Sequence, residues 1–371
     1  MSAEDSYISP EKLPEYLLRK NLVKNAKDCV VRELGGGVSN IVLLVDWPDA
    51  PERRWVVKQS LGKLRVKDDW RSDRERIFRE ADAILALRPE LGASVPELIS
   101  VDKENFLFIM TAAPQGSIVW KESLLAGRRS NAAVAHQVGL LLARIINTSW
   151  CNPACQEMFV DQTVFNQLRI DPYYRTTAAR HSHHPKVQRA IRDLIGDSSK
   201  IQLALVHGDF SPKNILVHGR NVFLIDFEVV HWGDPSFDAA FLLNHLFLKA
   251  FHGPQFAKLY FDAVREFWKA LQLGLGPDPD EGFEYRTGRH KSFEFMTIRH
   301  LGALMLARID GKSPVEYIRD DATKEIVRGV AKSILLDPPS RVENLINHIS
   351  AEIWDFGKGP PSGGPSRAAP R

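Results

Sequence analysis

Residues 205–238 read LVHGDFSPKNILVHGRNVFLIDFEVVHWGDPSFD, and the rest of the chain is interpreted around this stretch. Two short runs of strand-forming residues lie within it, and a tight turn at Gly219 joins them. Such a pattern predicts a β-hairpin. Asp209 and Asn214 precede the first run and Asp226 follows the second, so we expect the hairpin to bring these three side chains to one end.

The three polar side chains indicate phosphoryl transfer. Mg²⁺ prefers oxygen ligands and takes only one or two protein carboxylates while it shares substrate phosphates. An Asp, an Asn shortly after it and an Asp at a strand end follow the order of the base and metal ligands in kinases. Asp209 is therefore predicted to be the base, and Asn214 and Asp226 the ligands of Mg²⁺. The alternative for each residue taken singly is a capping role in a polar hairpin.

A glycine-rich turn is predicted between two strands, Cys29–Leu34 and Ile41–Val45. The candidate nucleotide-binding residues in this turn are Gly35, Gly36, Gly37, Ser39 and Asn40. Glycine lets backbone N–H groups approach phosphate without interference from a Cβ atom. The order of strand, turn and strand is that of a kinase loop that covers phosphates, since a P-loop needs a following helix. The alternative is a flexible hairpin.

A lysine and a glutamate are predicted to pair behind this turn. Lys58 lies in the predicted strand Arg54–Gln59, at the position of the V-A-I-K lysine of kinases. Glu80 lies in a helix predicted over Arg71–Leu87, beside the apolar face of that helix. The helix register favours Glu80 over Glu75 as the partner of Lys58. Such a pair would fix the ammonium group against the α- and β-phosphates.

Pro and Gly interrupt the strand pattern after Met110, and we place the link between two lobes here. Backbone groups of Met110 and Ala112 would face the adenine ring. The predicted division is an N-terminal nucleotide-binding lobe over residues 1–112 and a helical catalytic and substrate lobe over 113–356. Residues 357–371 are poor in apolar side chains, which predicts a disordered tail.

Composition limits the classes of function. The 371 residues are 44% hydrophobic and 26% charged, as in soluble globular proteins, and a chain of this length is expected to form two lobes or domains. A net charge of +3 without a Lys/Arg run gives no case for nucleic-acid binding. No stretch approaches the roughly 20 apolar residues of a membrane span, and the first residues lack a signal-peptide pattern.

The cysteines and histidines do not indicate a metal centre. Three cysteines are an odd and low number, which predicts reduced thiols and a cytoplasmic protein. Cys151 and Cys155 lack a matching second pair of ligands for zinc. His181, His183 and His184 lack nearby acids in the sequence and are interpreted as part of a solvated loop.

The motif H-G-D-F-S-P-K-N-I-L, followed by L-I-D-F-E, resembles the aminoglycoside phosphotransferase and choline kinase group, which are small-molecule relatives of protein kinases. The resemblance extends over Arg32–Trp354. It implies an α+β, protein-kinase-like fold of two lobes, with a small antiparallel sheet in the N-lobe and a mainly helical C-lobe. It also implies ATP and Mg²⁺ as cofactors. Lys58 would hold the ATP phosphates, Glu80 would orient Lys58, and His207 would support the catalytic loop.

Two details are more similar to 5-methylthioribose kinases than to antibiotic kinases. One is the D-x-E form of Asp226-Phe227-Glu228, and the other is the segment L-R-V-K-D-D-W that ends at Trp70. The catalytic loop departs from that group, which more often has H-T-G-S at residues 211–214. The implied reaction moves the γ-phosphoryl group of ATP to a hydroxyl group of a sugar, an amino alcohol or an aminoglycoside-like compound.

The identity of the acceptor and the oligomeric state stay open. The acceptor is expected in the helical lobe, near His231, Trp232, Arg299 and Arg308. The alternatives are a nucleotide-binding pseudokinase with a regulatory role and an enzyme that transfers a nucleotide instead of a phosphoryl group.

Overall fold

A five-stranded antiparallel sheet forms the first part of the chain. The computed structural model describes residues 7–35, 40–63, 73–127, 131–276 and 293–357. The strands are β1 (Val30–Glu33), β2 (Asn40–Asp46), β3 (Arg54–Ser60), β4 (Leu98–Asp102) and β5 (Leu107–Thr111). They lie in the order β1-β2-β3-β5-β4, and each neighbouring pair is antiparallel.

The two faces of this sheet pack against different helices, because successive side chains of a strand point to opposite faces. Leu43 of β2 belongs to a core that it shares with helix α1 (Leu13–Arg19). Leu44 belongs to a second core, which contains the apolar face of helix α2 (Arg76–Leu91) and continues into the helices of the remaining chain. The sheet and the helical part therefore share one hydrophobic core through α2.

Helix α1 is fixed to the sheet by a buried carboxylate. Asp102, at the end of β4, accepts a hydrogen bond of 2.7 Å from the Tyr16 hydroxyl and forms an ion pair of 2.8 Å with Lys20. Burial by itself would raise the pKa of Asp102, but these contacts outweigh it and lower the pKa below its usual value. The ionised form of Asp102 therefore stabilises the fold.

Most of the remaining chain is helical. The longer helices are α3 (Trp120–Leu125), α4 (Asn131–Ser149), α5 (Pro153–Phe159), α8 (Pro185–Ser198), α9 (Ser236–His252), α10 (Ala257–Leu275), α11 (Phe293–Asp310), α12 (Asp321–Leu336) and α13 (Val342–Gly357). The shorter helices are α6 (Thr163–Phe165) and α7 (Thr176–Arg180), which flank a π-helical segment, Asn166–Arg175. None of the described helices has the length and apolar character needed to cross a bilayer.

The predicted hairpin is present in the helical part. Strands β8 (Ile215–His218) and β9 (Asn221–Leu224) pair antiparallel around the turn at Gly219, which has a φ of +61°. Strand β6 (Ile118–Val119) pairs with β8, and β7 (Ala204–Val206) pairs with β10 (His231–Gly233). The predicted α+β class, with a small antiparallel sheet and a mainly helical remainder, is confirmed. The division into residues 1–112 and 113–356 stays a prediction, and residues 358–371 lie outside the described residues.

A predicted helix differs from the structure in its bounds. Within the described residues, the helix expected over Arg71–Leu87 begins at Arg76, after Asp73 accepts a hydrogen bond from the Glu75 backbone, and it continues through Pro89. Helix α5 lies within the stretch 151–171, and the short helix α6 begins after Asp161, whose carboxylate accepts hydrogen bonds from the backbone and the hydroxyl of Thr163.

The expectation that the three histidines lie in a solvated loop is wrong for His181. This side chain is buried, and its Nε2 lies 2.8 Å from the Asp310 carboxylate. Asp310 comes from α11 and is distant in sequence, so a search for acids near the histidines could not find it.

Candidate active site

Lys58 connects two acids that come from different elements. Its ammonium group lies 2.7 and 2.9 Å from the two carboxylate oxygens of Glu80, and 3.0 Å from Oδ1 of Asp226. Burial by itself would lower the pKa of Lys58, but Asp226 and Glu80 outweigh burial and raise it. The ion pair expected between Lys58 and Glu80 is therefore present, whereas Glu75 is exposed at the start of α2.

Asp226 has an unusual backbone conformation for a residue other than glycine. Its φ is +73°, in the left-handed region, where a side chain other than that of Asn or Asp is costly. Such strain persists where the surrounding structure imposes it, and it concentrates at functional sites. The pKa of Asp226 is lowered, because Lys58 and Lys213 outweigh the effect of burial. Asp226 is therefore held as a carboxylate beside Lys58.

Asp209 is buried and paired with two cations. Its Oδ2 lies 3.0 Å from Nη2 of Arg169 and 2.7 Å from Nζ of Lys213, and it accepts a hydrogen bond of 2.9 Å from the Asn214 amide. Burial would raise the pKa of Asp209, but Arg169 and Lys213 outweigh it and lower the pKa. The structure thus brings Asp209 and Asn214 into direct contact. Asp226 follows the other strand of the same hairpin.

The backbone that carries Asp209 is held by the carboxylate of Asp238, in the first turn of α9. One oxygen accepts a hydrogen bond of 2.6 Å from the His207 backbone, and the other accepts one of 2.9 Å from Gly208. The Asp238 carboxylate thus holds the loop that carries Asp209. The His207 ring lies within hydrogen-bonding distance of the Asp209 backbone N–H and the Ile225 carbonyl oxygen, and burial lowers its pKa to about 4.

Gly208 is required by its position. Its φ is +75°, and a Cβ atom there would lie 2.8 Å from the carbonyl oxygen of Val229. That distance is too short for a carbon atom beside backbone, so no other residue fits without a shift of the loop. The glycine in the H-G-D motif therefore allows the loop to pass close to the segment that follows the hairpin.

A cavity of about 680 Å³ extends from Lys58 between the sheet and the hairpin. Apolar side chains of both parts line it, among them Val42, Val56, Leu216 and Phe223. The segment from Met110 to Ser117, which includes Ala112, also lines it. A largely apolar cavity with Lys58 in its wall suits an aromatic base that carries phosphates.

A second cavity, of about 180 Å³, contains Asp209 in its wall. Arg308 also lines it, as expected for an acceptor residue. The other three residues expected there do not line it. His231 and Trp232 are buried in β10, where His231 stacks on Phe165, and Arg299 forms an ion pair of 2.7 Å with Asp197.

Sequence reasoning missed two residues that contact Asp209. Arg169 lies in the π-helical segment, and its Nε donates a hydrogen bond of 2.7 Å to the Gly208 carbonyl oxygen. No local pattern marks this arginine, because it reaches the loop from 40 residues earlier in the chain. Lys213 was within the motif itself, and its spacing of four residues from Asp209 was the available signal.

Asn214 and Asp226 fit a Mg²⁺ ion by the chemistry of their donor atoms, a side-chain amide oxygen and a carboxylate. Mg²⁺ is usually bound through one or two carboxylates together with water and phosphate oxygens. The described residues contain no group of three or more His, Cys, Asp or Glu side chains placed to hold a metal ion. A Mg²⁺ ion held by Asn214 and Asp226 would therefore take its remaining ligands from phosphate and water oxygens.

The glycine-rich turn is described only at its two ends. Gly35 follows β1, and Asn40 begins β2 with its amide nitrogen 3.4 Å from the Glu228 carboxylate. Gly36, Gly37 and Ser39, and also Trp70, lie outside the described residues. The contact of Asn40 links the start of β2 to the D-x-E motif of the hairpin.

The position of α2 depends on Arg79, the residue before Glu80. Its guanidinium donates a hydrogen bond of 2.7 Å to the Asp161 carboxylate and one of 3.3 Å to the Val230 carbonyl oxygen. Both partners belong to the helical part of the chain. The helix that presents Glu80 to Lys58 is thus fixed beside the hairpin.

Several known proteins are similar to this chain. Methylthioribose kinase 2 of Oryza sativa subsp. japonica is 26% identical over 245 residues, which are 60% of this chain and 57% of that protein. Methylthioribose kinase of Escherichia coli O45:K1 (strain S88 / ExPEC) is 24% identical over 251 residues, 60% of this chain and 58% of that protein. The chain thus spans less than two thirds of the length of these curated relatives.

Among solved structures, a choline kinase from Cryptosporidium parvum Iowa II is 12% identical, with a TM-score of 0.48 over 94% of this chain and 97% of that one. The sequence model of the phosphotransferase enzyme family matches residues 30–272, which are more than half of the chain. The matched region contains Lys58, Glu80 and the whole hairpin with its three polar residues. The resemblance inferred from the H-G-D and D-x-E motifs is confirmed, and the chain belongs to the phosphotransferase enzyme family.

Proposed function

We propose that the chain transfers the γ-phosphoryl group of ATP to a hydroxyl group of a small molecule, with Mg²⁺ as the metal ion. The observation that carries the proposal is the position of Lys58, which lines the 680 Å³ cavity and contacts both Glu80 and Asp226. Kinases use a lysine paired with a helix glutamate, next to a metal-binding Asp, to hold the nucleotide phosphates. Asp209 lies at the same end of the hairpin.

Each residue has a defined part in this proposal. Lys58 would bind oxygens of the α- and β-phosphates, and Glu80 would fix its ammonium group. Asp226 and Asn214 would hold Mg²⁺. When bound, this ion would neutralise negative charge on the phosphate oxygens. The backbone near Met110 would face the adenine ring.

Asp209 would orient the acceptor hydroxyl. A bond forms between the hydroxyl oxygen and the γ-phosphorus, while the bond from that phosphorus to the bridging oxygen of ADP breaks. The hydroxyl proton passes to Asp209. Because Arg169 and Lys213 lower the pKa of Asp209, the residue is a weak base, so the proton is expected to move late. Most of the acceleration would then come from orientation and electrostatics.

One substitution, compared with a matched control, tests the role of Asp209. Asp209→Asn is expected to keep nucleotide binding and to lower kcat by at least about 100-fold, the effect of losing a positioned base. The matched control is Asp321→Asn, since the side chain of Asp321 is 99% exposed at the start of α12. Full turnover by Asp209→Asn with any acceptor would refute the role given to Asp209.

A regulatory nucleotide-binding protein is the alternative. Slow Mg²⁺-dependent ATP hydrolysis without an acceptor separates the two, because a protein that only binds nucleotide does not release ADP. The mass of the product separates phosphoryl transfer from nucleotide transfer. The three cysteines are free, and a cytoplasmic location stays a prediction.

A further inference from the structure

The cavity beside Asp209 is lined mainly by cations and aromatic rings. Its wall comes from α3, the π-helical segment, the hairpin loop, α9, α11 and the segment after α11. The charged lining residues are Lys121, Asp209, Lys213, Lys249, Arg308 and Glu316. At about 180 Å³ it is smaller than the roughly 300–1,000 Å³ of sites for drug-sized ligands. It therefore suits a small acceptor.

The two acids of this cavity already have cationic partners. Asp209 pairs with Lys213 at 2.7 Å, and Glu316 pairs with Lys121. Two further cations line the wall, Lys249 and Arg308, and neither forms an ion pair with a carboxylate of the described chain. The lining thus has an excess of positive charge.

Lys249 is fully buried, with 0% of its surface exposed. Its Nζ donates a hydrogen bond of 3.2 Å to the His245 carbonyl oxygen and lies 5.1 Å from the centre of the Tyr317 ring. Burial, followed by the neighbouring Lys121, lowers the pKa of Lys249 to about 7. A buried ammonium group without an acid costs folding free energy, and such groups are usually paired or serve a ligand. An anion in the cavity would provide the negative partner that Lys249 lacks in the described chain.

Arg308 has an unused donor at the same wall. Its Nη1 donates a hydrogen bond of 3.0 Å to the Ser313 hydroxyl and lies 3.4 Å from the Tyr173 hydroxyl. Its Nε is buried and has no hydrogen-bond partner in the described chain. The planar fork of a guanidinium group matches the two oxygens of a carboxylate or phosphate. An arginine in the cavity wall thus keeps one buried donor without a partner in the described chain.

The positive charges converge on one ring. His245 is buried, and its pKa is well below the usual value because of burial and then of Lys249, Arg308, Lys213 and Lys121. A neutral imidazole thus lies near Lys121, Lys213 and Arg308 and near Lys249, whose pKa of about 7 leaves it partly charged at neutral pH. Polycationic aminoglycosides and quaternary amino alcohols would be repelled from such a surface, whereas an anion would be attracted.

We propose that the acceptor is a small hydroxyl compound with a carboxylate or phosphate group, which Arg308 and Lys249 bind while the hydroxyl faces Asp209. This inference rests on the proposed function and narrows its substrate class. Of the sugars, amino alcohols and aminoglycoside-like compounds expected from the sequence, it selects acidic sugars and hydroxy acids and rejects the cationic classes.

The test compares matched acceptors with the full chain, ATP and Mg²⁺, and measures ADP release and product mass. The pairs are glycerate and glycerol, gluconate and sorbitol, and ribose 5-phosphate and ribose; choline and kanamycin are the cationic arm. We expect an anionic member to exceed its neutral partner by about 10-fold or more in kcat/KM, as for a lost buried charge contact. The carboxylate and phosphate arms show which anion the site takes.

Other results overturn the inference. Phosphorylation of the neutral or cationic compounds with no advantage for the anions would reject it and leave the kinase proposal standing. If no acceptor reacts, calorimetry measures the binding of glycerate and of inorganic phosphate to the MgATP-bound protein. If neither anion binds, the proposal of an anionic acceptor is rejected. Failure to bind MgATP at all would instead reject the proposed function.

Variants supply a readout besides activity. Arg308→Met is expected to raise both the KM and the calorimetric Kd for the anionic acceptor by about 10- to 100-fold, with the KM for ATP unchanged. Arg308→Lys should recover part of this loss, because it keeps the charge but not the fork. Lys258→Met is the matched control, since Lys258 has 85% of its side chain exposed. An unchanged Kd in Arg308→Met would overturn the proposal.

Discussion

Replacement of Arg169 by Met tests whether the buried guanidinium holds Asp209 in its ionised form. Arg169 contacts the Asp209 carboxylate at 3.0 Å and the Gly208 carbonyl oxygen at 2.7 Å, and methionine keeps much of its volume without either contact. Asp209 would retain Lys213, but 52% of that side chain is exposed, so it is screened by water. The carboxylate would thus be left buried with one weak partner.

The expected loss follows from these contacts. Removing one partner of a buried ion pair costs about 3–5 kcal/mol, and the remaining contact with Lys213 places the Arg169→Met loss near the lower end, about 3 kcal/mol. Burial raises the pKa of Asp209, and Arg169 is the group that lowers it most. The Arg169→Met change removes this lowering. The pKa of Asp209 should therefore rise, and the acidic limb of kcat/KM should move to higher pH.

The assay is urea unfolding followed by tryptophan fluorescence, together with the pH dependence of kcat/KM. The informative comparison is a double-mutant cycle with Asp209→Asn, since in that background no buried carboxylate is left unpaired. Arg169→Met should then cost about 1–2 kcal/mol less in stability than in the wild type. An equal cost in both backgrounds, or an acidic limb that stays in place, would refute the electrostatic role of Arg169.

Gly208→Ala should abolish activity and destabilise the fold, because the new Cβ would lie 2.8 Å from a carbonyl oxygen. Its matched control, Gly219→Ala, also has a positive φ but meets no atom, so thermal unfolding should show a loss of only about 1 kcal/mol. Asp226→Asn should weaken ATP binding about 10-fold or more with Mg²⁺ present, and calorimetry showing unchanged affinity would contradict this. Tyr16→Phe should lower the free energy of unfolding by about 1–3 kcal/mol at pH 7. Since the folded-state pKa of Asp102 lies below 3.8, this difference should shrink as the pH falls below that value.

Much of the fold could be predicted because its signals are local. Short runs rich in β-branched and other apolar residues mark β2 and β3, and the turn at Gly219 fixes the hairpin of β8 and β9. An error occurs where the partner of a side chain is distant in sequence. His181 is buried and contacts Asp310, which belongs to a helix more than 100 residues later in the chain.

The candidate site could be predicted where its residues share a motif. Asp209, Asn214 and Asp226 have fixed spacing, and Glu80 could be preferred to Glu75 from the helix period alone. Arg169 and Lys249 could not be found in this way, because a buried cation has no periodic signature. Their positions depend on how the π-helical segment and α9 pack beside the hairpin, and packing of that kind is not contained in a short window of sequence.

The attachment of α2 has a consequence for control of the proposed activity. In kinases the Lys–Glu pair must be in place for activity, and some regulate it by moving the glutamate helix. Here such a movement would break the Arg79–Asp161 pair and withdraw Ile77 and Ile84 from the shared core, at a cost of about 1.5–3 kcal/mol for each isoleucine. Under the proposed function, the Lys58–Glu80 pair would therefore stay in place, and activity would follow the amount of protein and the supply of acceptor.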